Sequence, residues 1–181
     1  MAGTIDQLST RTVHQTRWMH VREDAVRFPD GSEGSFSVVD KNDFAVIVPL
    51  HDDGRLQLVR QYRYPVQGRF WEVPQGSWEE TPDADPVALA RGELEEETGF
   101  RAGTLRHIGH YHQAPGYCGQ GYDLFLATDL TPGTLNRDHA EQDMETAAFA
   151  FPEVLAMIED GRMMDTTTLA ALGLLRLKNF L

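Results

Sequence analysis

The stretch from Asp85 to Phe100 constrains the fold of this chain more than any other. Asp85 is a good helix N-cap by residue type, Pro86 suits the first helical position, and Gly99 after Thr98 suits a left-handed C-cap. Together they predict a helix over 86–98. Val87, Ala90 and Leu94 fall three and four residues apart and predict its buried stripe. The remaining surface is crowded with Glu93, Glu95, Glu96 and Glu97. Of these, Glu93, Glu96 and Glu97 stand at i, i+3 and i+4 and share one face. Like charges at that spacing cost a helix about 0.2–0.5 kcal/mol per pair. Arg91, two residues before Glu93, is at the wrong offset to relieve them. Two readings are open: a solvated acidic face, or three convergent carboxylates that hold a hard divalent cation such as Mg²⁺. The preceding loop, Pro74-Gln75-Gly76, offers carbonyls as further ligands. A metal cluster at a loop–helix junction is a natural place to bind a diphosphate.

Composition narrows the classes. The chain has 181 residues, 41% of them hydrophobic, enough for one domain with a real core. That excludes a disordered tail or a disulfide-stapled mini-domain. Sixteen Lys and Arg stand against 28 Asp and Glu, a formal charge of −12. Such a surface repels phosphate backbones, so no nucleic-acid partner is expected. A small phosphate ligand stays open, because a bound cation inverts the local field. No run approaches the roughly 18 apolar residues of a membrane span, so no membrane partner is expected. Cys118 is the only cysteine, and residues 1–14 carry no apolar leader segment. The expectation is a cytoplasmic chain.

Along the chain there is no internal repeat. Residues 1–13, rich in Thr, Ser and Gln, predict a loose end. Segments 18–28 and 36–39 predict strands around the turn Pro29-Asp30-Gly31. The continuous apolar run 44–50 predicts a buried strand, with Asp52-Asp53-Gly54 as a hairpin turn and 56–64 as the return. Strands are expected at 70–74, 104–112 and 122–128, and a strand-like stretch begins at Phe149. Helices are expected at 152–159, ended by Gly161, and at 166–178. Strands and helices mix without regular alternation, which favours an α+β fold over a doubly wound sheet.

These residues resemble the Nudix hydrolase family. Its signature opens with a glycine, runs through a loop and ends in a helix reading Arg-Glu-apolar-x-Glu-Glu-x-Gly-apolar. The segment Gly92-Glu93-Leu94-Glu95-Glu96-Glu97-Thr98-Gly99-Phe100 matches every specified position but the first. The likeness extends from about 44 to 175. It implies a Nudix fold: a mixed β-sheet between α-helices, here residues 41–181, behind an N-terminal antiparallel β extension, residues 1–40, that builds a homodimer. It implies Glu93, Glu96 and Glu97 as ligands of Mg²⁺, or of Mn²⁺, with the carbonyl of Gln75 or Gly76 completing the shell. The family Arg that ties down a metal-binding Glu is Gly92 here. A glycine inside a helix costs about 1 kcal/mol relative to Ala, and a close backbone contact would explain it. The loop 76–93 is two residues longer than the family pattern, and Glu80, Asp83 and Asp85 compete for its mid-loop acid.

Several segments resemble the ADP-ribose pyrophosphatase branch. Leu58 to Pro65 looks like the strand before its metal loop. Alternation sets Arg60 and Tyr62 on one face and Gln61 and Arg63 on the other. By resemblance one arginine contacts the diphosphate, Arg63 in preference to Arg60. Glu72-Val73-Pro74-Gln75-Gly76 resembles that branch's Glu-x-Pro-Ala-Gly, with Gln for Ala. Pro115-Gly116 lies where ADP-ribose hydrolases carry a proline, 16 residues after Gly99; an ordinary loop turn is the other reading. The acid expected shortly after it falls near Gln120. The implied reaction is water attack on a diphosphate phosphorus, with a general base from the acidic loop 139–145: Glu141 first, Glu145 second, Glu96 as the alternative in the helix. Trp18 would stack on the base, as an aromatic does in homodimeric relatives, or pack at an edge. His107, His110 and His112 read as structural or surface groups rather than a zinc site. The preferred substrate is ADP-ribose, cleaved to AMP and ribose 5-phosphate. GDP-mannose, another nucleotide sugar, or a sensor that binds ADP-ribose without cleaving it are the alternatives.

Overall fold

The structure is a computed structural model that describes residues 4–78, 80–81, 84–137 and 141–181. Asp83 and the first two residues of the acidic loop, His139 and Ala140, lie outside the described residues. Among the described residues, ten strands and three α-helices follow in the order β1 (Asp6–Gln15), β2 (His20–Arg27), β3 (Glu33–Asp40), β4 (Phe44–Pro49), β5 (Leu56–Arg63), β6 (Gly68–Glu72), β7 (Gln75–Gly76), α1 (Pro86–Thr98), β8 (Phe100–His112), β9 (Gly121–Pro132), β10 (Glu145–Phe149), α2 (Phe151–Glu159) and α3 (Thr166–Leu177). A 3₁₀ turn, Tyr64–Val66, separates β5 from β6.

The centre is the mixed sheet β7-β4-β9-β8, in which β4 runs parallel to β9 and antiparallel to β7. All six residues of β4 are buried, as a continuous apolar run predicts. Alternation sends them to two cores. Phe44, Val46 and Val48 join Leu124 and Leu126 of β9 against Val154 and Met157 of α2 and Leu172 and Leu175 of α3. Ala45 and Ile47 join Phe125 and Ala127 against Leu89, Ala90 and Leu94 of α1. The sheet therefore lies between helices, and the fold is α+β, as expected from the mixed order of strands and helices. A second sheet, β10-β5-β6, closes the first core.

The third sheet, β1-β2-β3, is antiparallel and precedes the rest. Here the sequence expectation fails at one strand. Residues 1–13 are not a loose end, because Asp6–Gln15 form β1, paired with β2 from Asp6↔Arg27 to Gln15↔His20. Every residue of β1 is exposed, so backbone pairing rather than an apolar face defines it. Trp18 sits in the turn between β1 and β2, not in a strand. Phe149 ends a strand rather than beginning one: β10 starts at Glu145 and pairs with β5 at Arg60. Strands β8 and β9 also run longer than expected, because their mutual ladder continues to Phe100↔Pro132.

Candidate active site

Helix α1 begins and ends where its caps require. The Asp85 carboxylate accepts the Ala88 N–H at 3.1 Å, and Gly99 takes φ +74° and donates its N–H to the Glu95 carbonyl at 2.9 Å. The buried stripe differs from the expected one. Val87 is 40% exposed, and the helix buries Leu89, Ala90, Glu93, Leu94, Glu97 and Thr98. Two carboxylates thus lie on the buried side, at 6% and 1% exposure for Glu93 and Glu97, so the solvated-face reading is overturned for both. Glu96 is half-buried, and Glu95 turns outward to Arg101 at 2.7 Å.

The loop before α1 meets these carboxylates. The Gln75 N–H donates to Glu97 Oε2 at 3.2 Å, while Glu97 Oε1 is buried with no hydrogen-bond partner. A Cβ on Gly76 would run into the Glu93 carboxylate, so glycine lets that group press against the loop. Burial drives the Glu97 carboxyl well above the usual carboxylate range, and the charges of Glu93 and Glu141 add to it. The Gln75 N–H and Arg63 act the other way. Among the described residues, no three His, Cys, Asp or Glu side chains already form a closed metal-coordinating group. The donors nonetheless suit a hard divalent cation: they are carboxylate oxygens, crowded together, and one of them is buried without a partner.

Gln75 and Gly76 line a cleft of about 510 Å³, together with Lys41, Phe44, Arg63 and Glu72. Its far wall is apolar at Pro65, Val66, Phe70 and Met164 and polar at Asp165 and Thr166, the start of α3. Arg63 is held along one edge: its Nε and Nη2 donate to Glu72 at 3.0 and 2.5 Å, and Glu72 is 1% exposed. Burial opposes the Arg63 charge, and the Glu72 carboxylate, aided by Glu97 and Asp165, outweighs it. Arg60 lies outside the cleft lining, 3.4 Å from Glu145 across the β5–β10 pair.

Glu141 and Glu145 therefore part company. Glu141 acts electrostatically on Glu97; Glu145 is exposed at the start of β10 beside Arg60. The loop carrying Glu141 is fastened to α1 by Arg137, whose Nη2 donates to the Glu97 carbonyl at 3.1 Å and whose Nη1 donates to the Met144 carbonyl. Pro115 and Gly116 are absent from the cleft lining, but Gln113 and Gln120 of the same loop are part of it. Gln120 is buried and donates to the Asn42 carbonyl at 2.5 Å. Trp18 is half exposed, with the Arg17 guanidinium 4.1 Å above its ring, and does not line the cleft of its own chain.

The departures at the helix have a local cause. A Cβ on Gly92 would collide with the Trp78 ring, which packs over the helix backbone at that point. Of the mid-loop acids, Asp85 is the helix cap and Glu80 is exposed in a turn. His107 and His110 both bond Asp123, at 2.7 and 3.3 Å, on the β8–β9 surface. Sequence reasoning missed Arg137, Asp165 and Lys41. Arg137 and Asp165 act through contacts 40 and 90 residues distant, to Glu97 and Gln75, which no local pattern announces.

Comparison with known proteins identifies the family and the fold. Residues 41–167 match the model of the NUDIX domain, and residues 5–39 match the nucleoside diphosphate sugar hydrolase N-terminal domain. An ADP-ribose pyrophosphatase of Mycobacterium tuberculosis is 29% identical over 91% of this chain and 80% of its own length. One from Bacillus subtilis is 28% identical over 86% and 84%. A crystal structure of an ADP compounds hydrolase shares the fold with a TM-score of 0.86, covering 97% of this chain and 94% of that one at 24% identity. With the NUDIX model spanning most of its length, the chain belongs to the Nudix family and is a Nudix hydrolase.

Proposed function

We propose that the chain hydrolyses ADP-ribose to AMP and ribose 5-phosphate with the help of Mg²⁺, which Mn²⁺ can replace. The observation that carries this is the buried carboxylate pair Glu93 and Glu97, one oxygen of it without a partner, at the edge of a cleft large enough for a small nucleotide. An uncompensated buried carboxylate costs stability, so a protein tolerates it where a cation is to be held. Glu93, Glu96, Glu97 and the carbonyl of Gln75 or Gly76 would hold that cation. When bound, it neutralises diphosphate oxygens and lowers the pKa of water.

The chain's own groups do the rest. Arg63, fixed along one edge by Glu72, keeps its Nη1 for a diphosphate oxygen, and Lys41 supplies a second cation in the cleft. Glu141, whose charge reaches Glu97, takes the proton of the attacking water at its carboxylate. The pairing of Glu145 with Arg60 makes it the lesser choice, and Glu96 is assigned to the metal instead. The apolar wall of Val66, Phe70 and Met164 excludes water from one side of the substrate. Residues 1–40 form a dimerisation extension to the hydrolase domain 41–181. Ile5, Leu8, Val13 and Trp18 are exposed there, and a second copy would cover them. In such a homodimer Trp18 is free to stack on the base in the partner's cleft, and Pro115-Gly116 to shape the loop beside it. The proposed setting is the cytoplasm.

The test is a Mg²⁺-dependent hydrolysis screen of ADP-ribose, GDP-mannose, NADH and diadenosine polyphosphates, with products separated by chromatography and Glu97→Gln run beside the native chain. The expected result is AMP and ribose 5-phosphate from ADP-ribose, lost in the variant. Faster turnover of GDP-mannose would replace the substrate. Binding of ADP-ribose without turnover would replace the enzyme by a sensor.

A further inference from the structure

Gln75 has two sets of partners that lie far apart in the sequence. Its backbone N–H donates to Glu97 Oε2 at 3.2 Å. Its side-chain Nε2 donates to Glu72 Oε2 at 3.0 Å and to Asp165 Oδ2 at 3.2 Å. A primary amide has two N–H donors, and both are engaged. One residue thus joins carboxylates from β6, from α1 and from the cap of α3.

Each of those carboxylates already has a structural duty. Glu72 holds Arg63, and Asp165 caps α3 by accepting the Thr168 N–H at 2.7 Å. Without the amide, Glu72 and Asp165 are left with the charge of Arg63, which both feel, and with no hydrogen bond between their segments at this point. Gln75, Met164, Asp165 and Thr166 all line the cleft, so the amide spans the gap between the loop 74–76 and the start of α3. A separate tie, the Val73 N–H to Thr168 Oγ1 at 3.1 Å, joins the same two segments and is fully buried. Loss of the Gln75 side chain therefore leaves the segments attached, and leaves β7 paired with β4 through Val46↔Gln75 and the Ile47 N–H to the Pro74 carbonyl, while removing the tie between Gln75 and the cap of α3.

The geometry points to Gln75 as a positioning residue. Its side-chain amide clamps the segment 74–76 to the cap of α3, and together with the β7–β4 pairing it steadies the residue's own N–H against Glu97 and fixes the width of the cleft. The clamp bears on catalysis only if the cation-dependent hydrolysis proposed above is right.

Four variants of the full chain test it: Gln75→Ala, Gln75→Glu, Asp165→Asn and the double variant Gln75→Glu/Asp165→Asn. Asp165 Oδ2 accepts both the Thr168 N–H and the Gln75 amide, so in the double variant the Asn oxygen keeps the cap and its neighbouring Nδ2 turns to donate to the carboxylate at 75. Three quantities are read: Mn²⁺ affinity of the substrate-free protein by electron paramagnetic resonance, hydrogen exchange of the residue-75 amide without metal, and kcat and KM separately. Gln75→Ala and Gln75→Glu are expected to weaken Mn²⁺ binding by about 10–100-fold, as loss of a partner that orients a ligand does. They should also speed exchange at residue 75 and lower kcat more than KM. The double variant is expected to recover about tenfold of the Gln75→Glu loss. Native Mn²⁺ affinity and native exchange in Gln75→Ala, or simple additivity in the double variant, would overturn the clamp. If the native chain hydrolyses nothing while exchange at residue 75 follows the expected pattern, the clamp stands and the proposed reaction falls. If the native chain hydrolyses its substrate while exchange at residue 75 is unchanged in the variants, the reaction stands and the clamp falls.

Discussion

Helix α1 buries two kinds of side chain, and they act in opposite directions. Ala90 and Leu94 are wholly buried against Ile47 and Phe125 of the central sheet. Glu93 and Glu97, on the same helix, are buried almost as deeply against the loop 75–76. Removing a leucine side chain from water stabilises the fold by about 1.5–3 kcal/mol. Burying a carboxylate such as Glu97, whose Oε1 meets no hydrogen-bond partner, costs stability of comparable size. The two sets differ in chemistry rather than in burial. The apolar set holds the helix in place, and the acidic set uses that firmness to keep like charges together. In the proposed reading, function is a local deficit carried by the core beneath it.

The sharpest way to break the comparison is to weaken the apolar side alone. Leu94→Ala is expected to lower stability by about 2–5 kcal/mol, measured by chemical denaturation. Where the variant is still folded, its metal affinity should fall little. An equal loss of metal affinity and stability would mean that the two sets are not separable. The converse change spares the core and crowds the acidic side. Gly76→Ala places a Cβ against the Glu93 carboxylate and must displace it. The expected result is a fall in Mg²⁺ affinity by roughly 10–100-fold, by calorimetric titration, with a melting temperature of the metal-free protein close to native. An unchanged affinity would remove Glu93 from the ligand set.

The apolar side of this contrast was legible in the sequence, and the acidic side only in part. The caps Asp85 and Gly99 and the spacing of Ala90 and Leu94 place α1 correctly, because local propensity and core packing agree there. The run 44–50 places β4 for the same reason. Strand β1 was illegible because its ten residues have no buried face to leave a period in the sequence. Val87 was misjudged because the helix turns Glu93 and Glu97 inward, and a hydrophobic pattern cannot foresee a buried carboxylate. Gly92 did signal a close approach, without revealing that Trp78 makes it. The link from Gln75 to Asp165 spans 90 residues, and nothing in either segment names the other.

A modest stability effect is the most informative, because it carries a sign. The Glu97 carboxyl titrates above its ordinary value of 4.5 in the folded chain. Between 4.5 and that raised value the folded state binds more protons than the unfolded one. Metal-free stability therefore falls as pH rises through this window, and the contribution is fully present only below 4.5. Glu97→Gln removes that slope and keeps an acceptor for the Gln75 N–H. Each kcal/mol regained shifts the melting temperature by roughly 2–4 °C in a chain of this size.

Thermal unfolding of the native chain and of Glu97→Gln near neutral pH, each with and without Mg²⁺, tests the central claim most directly. The account predicts that without metal the variant melts above the native chain. It also predicts that Mg²⁺ raises the melting temperature of the native chain and leaves that of the variant nearly unchanged. Equal Mg²⁺ responses in the two proteins, or a variant less stable than the native chain in the absence of metal, would contradict it.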